Sequence, residues 1–147
     1  MNDMRQIQVL LKAFTKEKEK YLFELSKINM AIEKKSDLIL KMQTYKQDYF
    51  NENNLTVSKA IPALIKNFHL FMKKLELAVK QAEDDLVILK RAKQAILERI
   101  SEIDKKMELM NLFAEKIKKG MILKEEKTEQ SMIDDVVSTV HLRGEHG

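Results

Sequence analysis

The sequence predicts an all-α fold: a long two-helix antiparallel coiled-coil hairpin in which helix 2 is longer than helix 1. Three observations predict it. The composition is that of long helices, with 34% charged residues, three glycines, one proline and no cysteine or tryptophan in 147 residues. Apolar residues recur in a 4-3 spacing over almost the whole chain. The single proline, Pro62, closes the one stretch that interrupts the pattern, "YKQDYFNENNLTVSKAIP".

Helix 1 is expected over about 3–50. Steps of four and three from Ile7 visit Leu11, Phe14, Lys18, Tyr21, Leu25, Ile28, Ile32, Lys35, Ile39, Met42, Lys46 and Tyr49, which are apolar apart from three lysines. A stripe at this spacing is the seam of a coiled coil. A loop is expected over about 51–60. The asparagines of "NENN" are poor helix formers, because their side chains compete for backbone hydrogen bonds. Thr56 or Ser58 could cap the next helix, and Pro62 suits a first turn, where its missing N–H costs nothing.

Helix 2 is expected over about 60–126. From Ile61 the same steps visit Ile65, Phe68, Met72, Leu75, Val79, Ala82, Leu86, Leu89, Lys93, Ile96, Ile100, Ile103, Met107, Met110, Ala114, Ile117 and Met121; only Lys93 is polar. Two apolar stripes joined by a short loop bury each other by folding back. Residues 1–126 thus form one hairpin. Residues 127–147 form a tail, either a short helix or disordered. With a loop of this length, facing residue numbers add to about 107 or about 114, the layers in which seam position a meets seam position d. The start of helix 1 then lies beside residues 104 to 111. Helix 2 runs on alone for about four turns, on the order of 20 Å. That overhang includes Leu112, Phe113, Ile117, Met121, Ile122 and Leu123. Either a partner covers it, or the tail folds back with Met132, Val136 and Val140.

The flanks of the seam differ. One reads Gln8, Thr15, Leu22, Asn29, Ser36 and Gln43 against His69, Glu76, Glu83, Lys90 and Leu97, and is mostly polar. The other, near the loop, reads Ala31, Leu38 and Tyr45 against Leu64, Phe71 and Ala78, and becomes charged further away at Glu17, Glu24, Asp85 and Arg99. A two-helix hairpin has no third layer to cover an apolar strip, and exposed aromatics are typical binding anchors.

Nothing in the chain carries the pattern of a catalytic constellation. There is no phosphate-binding glycine loop, no HExxH and no nucleophilic cysteine. No cofactor is implied. His69 reads as a surface residue. His141 and His146 do not supply the three or four placed ligands that zinc needs. Glu83, Asp84 and Asp85 read as a solvated face. The net charge of +4 is spread over alternating lysines and acids rather than gathered into a basic stripe, so a nucleic-acid partner is not expected. No apolar run approaches the length of a membrane span, and the N-terminus lacks a good signal-peptide pattern.

With the hairpin in place, the chain resembles the flagellar FliJ family of type III export proteins, over nearly its whole length. Tyr45 and Tyr49 in "YKQDYF" match the family's paired tyrosines at the end of helix 1. Asn67, Phe68, Phe71 and Leu75 in "NFHLFMKKLELAVKQ" match its motif near the start of helix 2. The end "KTEQSMIDDVV" is similar to its Glu-rich terminus. The absence of tryptophan late in helix 2 departs from many members.

The resemblance implies a non-enzymatic, cytoplasmic stalk at the flagellar base, peripheral to the inner membrane through its partners. The family's open end enters the ring of the export ATPase FliI and promotes ring assembly and activity. Its loop-proximal half contacts the export-gate protein FlhA, and it also binds export chaperones. Carried over by position, the gate patch is Met42, Tyr45, Tyr49, Phe71, Leu75 and Ala78. The ATPase contact is Leu112, Phe113, Ile117 and Met121. The alternatives are the equivalent stalk of a virulence type III secretion system and a structural coiled coil that self-associates through the apolar strip.

Overall fold

The computed structural model describes residues 2–57 and 62–146, with side chains from 2–52 and 62–140. Every described residue is helical. Helix α1 is Asn2–Val57 and helix α2 is Pro62–His146. The two pack against each other antiparallel, α2 being the longer, as the 4-3 pattern predicts.

The seam is the one written in the sequence. All thirteen α1 seam positions from Ile7 to Tyr49 are buried or half-buried, and so is every described α2 seam position from Ile65 to Ile117. The most deeply buried side chains, Ile7, Ile39, Phe68, Ala82 and Ile103, all lie on it. A two-helix interface leaves most seam residues partly wet, so each buried aliphatic side chain weighs heavily, at about 1.5–3 kcal/mol apiece.

The chain divides into two compact units. In Lys18–Ser101, seam lysines reach acids on the other helix: Lys35 Nζ lies 3.4 Å from Asp85 Oδ2, and Lys46 Nζ lies 3.3 Å from Glu76 Oε1. Their methylene stems stay in the seam while the ammonium groups lean to the flank. In Met1–Glu17 with Glu102–Gly147, the Lys106 ammonium lies 6.0 Å from the Phe14 ring centre.

The register differs from both expected ones. The paired numbers Lys35–Asp85, Lys46–Glu76 and Phe14–Lys106 add to about 120, one heptad beyond the expected 114. The cause is the turn. Helix α1 does not end near Tyr49 but continues through Asn51 and Asn54 to Val57. Asparagine costs only a few tenths of a kcal/mol more than a good helix former, and no glycine or proline lies in that stretch. The expected loop over 51–60 is therefore helical as far as 57. Ser58, Ala60 and Ile61 lie outside the described residues. Pro62 is the first residue of α2, where it leaves no hydrogen bond unmade.

The shift in register moves the overhang. Asn2, Met4, Arg5 and Gln8 share a shallow depression with Lys118 and Met121, so α1 starts beside those residues rather than beside 104–111. Ile117, expected on the overhang, is a half-buried seam residue. From Ile122 onward α2 has no α1 residues opposite it. It stays helical through the expected tail, 127–146, and every described side chain from Lys118 to Val140 is exposed. Met132, Val136 and Val140 are among them, so the tail does not fold back.

Candidate docking surfaces

The first surface lies in the Lys18–Ser101 unit, beside the turn. Tyr45 and Tyr49 are one helical turn apart, and their rings stack with centres 6.4 Å apart. Tyr49 reaches across the seam, stacked on Phe68 at 5.5 Å and tilted against Phe71 at 4.4 Å. Tyr45 meets the edge of Phe71 at 6.2 Å. Phe50 and His69 extend the cluster, 6.3 and 5.6 Å from Phe68. Offset and edge-on rings at these spacings hold one another at roughly 0.5–1.5 kcal/mol per pair beyond their burial.

The cluster has a buried base and an exposed crest. Phe68 is buried and Tyr49, Phe71, Met42 and Leu75 are half-buried, whereas Tyr45 is 53% exposed. Leu38 and Leu64 are exposed large apolar residues of the same strip, and Ala78 is exposed as well. The structure thus brings Tyr45, Tyr49 and Phe71 into direct ring contact. Leu40, Lys41, Thr44 and Asp48 form a shallow depression beside Tyr45. Leu40 was missed by the heptad reading because it sits outside seam and flank; an exposed apolar residue on the outer face, a trait it shares with Val9, Phe23 and Met30, is the signal that marks it.

The second surface lies in the unit containing Glu102–Gly147. Leu112 and Phe113 are exposed on the paired part of α2, half-buried Ile117 lies on the seam, and Met121 lies at its end. Beyond them come exposed Ile122, Leu123, Met132, Ile133, Val136, Val137 and Val140. Sequence reading found the first two of these as overhang, and Met132, Val136 and Val140 only as material for a fold-back. A single helix cannot shelter such residues, and its stability depends on packing an apolar face.

Among the described residues no group of three or more His, Cys, Asp or Glu is placed to hold a metal ion, and no helix is long and apolar enough to cross a membrane. A family profile for the flagellar FliJ protein matches residues 4–146. The chain belongs to the FliJ family. It is thus a protein associated with flagellar type III export. The match covers both helices and both surfaces of this FliJ-family chain, and its flagellar description favours that branch over a virulence stalk. Searches of curated proteins and of solved structures gave no significant match.

Proposed function

We propose that the chain is a non-enzymatic stalk of the flagellar export apparatus, which promotes assembly and activity of the export ATPase ring and contacts the export gate. The observation that carries the reading is membership of the FliJ family over residues 4–146. The two docking surfaces support it.

The gate contact is assigned to Tyr45, Tyr49 and Phe71 with Met42, Leu75 and Ala78. An aromatic cluster with a buried base presents Tyr45 at low entropic cost, because its neighbours already hold the ring. The ATPase contact is assigned to Leu112, Phe113, Ile117 and Met121, and the register extends it outward to Ile122 and Leu123. Ile117 contributes from the seam by holding the helix pair beneath its exposed neighbours. Export chaperones are further partners. The protein works in the cytoplasm and reaches the inner membrane through its partners.

The test is direct binding of the purified full chain to a FliI-like ATPase and to the cytoplasmic part of a FlhA-like gate protein, by calorimetry. The reading expects Tyr45→Ala to weaken gate binding about tenfold or more while leaving ATPase binding intact, and Leu123→Asp to do the reverse. Absence of binding to both proteins would discard the reading.

A further inference from the structure

The α2 helix presents two different faces on either side of Met121. Up to that residue the seam that packs on α1 is apolar apart from Lys93. Continued at the same spacing it becomes Lys124, Thr128, Ser131 and Asp135, all polar and exposed. Met121, Lys124, Glu125, Thr128 and Glu129 line a shallow depression along that continuation. The apolar surface reappears elsewhere. Ile122, Ile133, Val136, Val137 and Val140 fall within one stripe roughly 100° wide, turned about a third of a turn or more from the seam. The overhang is thus not a stretch of seam left bare by a short α1. It carries a separate apolar face.

That face has a charged centre. At four- and three-residue steps it reads Ile122, Glu126, Glu129, Ile133, Val136 and Val140. Two carboxylates interrupt the apolar stripe one turn apart, and Glu125 lies four residues before Glu129, a like-charge spacing unfavourable in a lone helix. Residues 122–140 hold five carboxylates and two lysines, so neighbouring cations do not balance them. A second copy is a poor occupant. Antiparallel or parallel self-pairing puts the Glu126 and Glu129 carboxylates of both chains into one seam.

We infer that residues 122–140 dock into a helix-binding apolar groove that presents two basic side chains, about 4.5 Å apart along the helix axis, to Glu126 and Glu129. The inference deepens the docking role proposed for the overhang and rests on it. Apolar contacts at either end supply affinity, and the paired charges set register and reject acidic or self-partners.

The test uses the full chain and two helical probe peptides of about twenty residues, long enough to hold a helix on binding. The peptides have leucine along one face except at two central positions three residues apart, which are lysine in one peptide and glutamate in the other. Fluorescence anisotropy is expected to show the lysine peptide binding at least about tenfold tighter, with the gap shrinking as salt rises. In Glu126→Lys with Glu129→Lys the preference inverts. All the substituted side chains are exposed, so folding is not at stake. Equal binding of the probes, binding of neither, or a preference that survives the reversal overturns the inference. So does a homodimer in sedimentation equilibrium that Ile133→Asp dissolves. An export ATPase that binds the wild type and the charge-reversed chain equally overturns it while leaving the stalk reading intact. The probe preference without any ATPase binding retains the groove chemistry and discards the ATPase as its owner.

Discussion

Replacing Ile103 by alanine tests the packing most sharply. Ile103 is only 3% exposed, the lowest of the buried core residues, and sits on the seam near the cation–ring contact of Phe14 and Lys106. Truncating a buried isoleucine to alanine costs about 2–5 kcal/mol, the value depending on how far the surroundings collapse into the space. A two-helix layer with solvent on both flanks collapses readily, which places Ile103→Ala near the lower end, about 2–3 kcal/mol. At about 2–4 °C per kcal/mol for a chain of this size, the melting temperature should fall by roughly 4–12 °C. The control is Ile133→Ala, the same truncation on the overhang, where the side chain is 55% exposed; its expected change is within about 0.5 kcal/mol. The assay is thermal unfolding followed by far-UV circular dichroism. A melting temperature unchanged in Ile103→Ala would refute the seam, and a large loss in Ile133→Ala would refute an uncovered overhang.

Other substitutions probe register, charge and the turn. With Ile39→Cys and Ala82→Cys together, a short thiol crosslinker should join α1 to α2, whereas Ile39→Cys with Leu75→Cys should crosslink poorly; the reverse yield on a denaturing gel would restore the shorter register. Lys35→Glu should cost about 1 kcal/mol by facing Asp85, less at high salt, and Asp85→Lys in the same chain should recover most of it in denaturant melts. Gly120→Ala should raise helicity and add up to about 1 kcal/mol, since nothing lies within 4 Å of the added methyl and the backbone there has no positive φ; a loss of stability would mean that the site is covered. Phe68→Ala, at the buried base of the aromatic cluster, should cost about 3–5 kcal/mol, while exposed Tyr45→Ala should cost only about 1–2 kcal/mol through its two ring contacts; equal costs would mean that the crest is buried too.

The sequence displays the seam in full because a 4-3 repeat is a direct image of the buried face. Lys18, Lys35 and Lys46 could be read as seam members despite their charge, since a long stem occupies the layer while its ammonium group leaves it. The turn was less legible. "NENN" looks like a breaker, but the cost of asparagine is small beside two more turns of helix, and only Pro62 fixes a boundary. That error carried into the register and moved the overhang from 112 to beyond Met121. The aromatic cluster was half visible. Tyr45 and Phe71 stand out at flank positions, but ring contacts such as Tyr49 with Phe68 depend on the register and on side-chain direction. The second face of α2 was hidden because its stripe rotates away from the seam, and a heptad extrapolated past Met121 meets only polar residues as far as Ser138.

The central claim is that the C-terminal part of α2, from Leu112 outward, engages the export ATPase. The most direct measurement is ATP hydrolysis by a FliI-like ATPase with the full chain and with a chain ending at Asn111, which removes Leu112, Phe113, Ile117 and Met121 together with the overhang beyond them. The account predicts stimulation by the full chain and its loss in the shorter one, whose remaining helix pair, with Ile103 at its core, stays folded by far-UV circular dichroism. Equal stimulation by both chains, or none by the full chain, would contradict it.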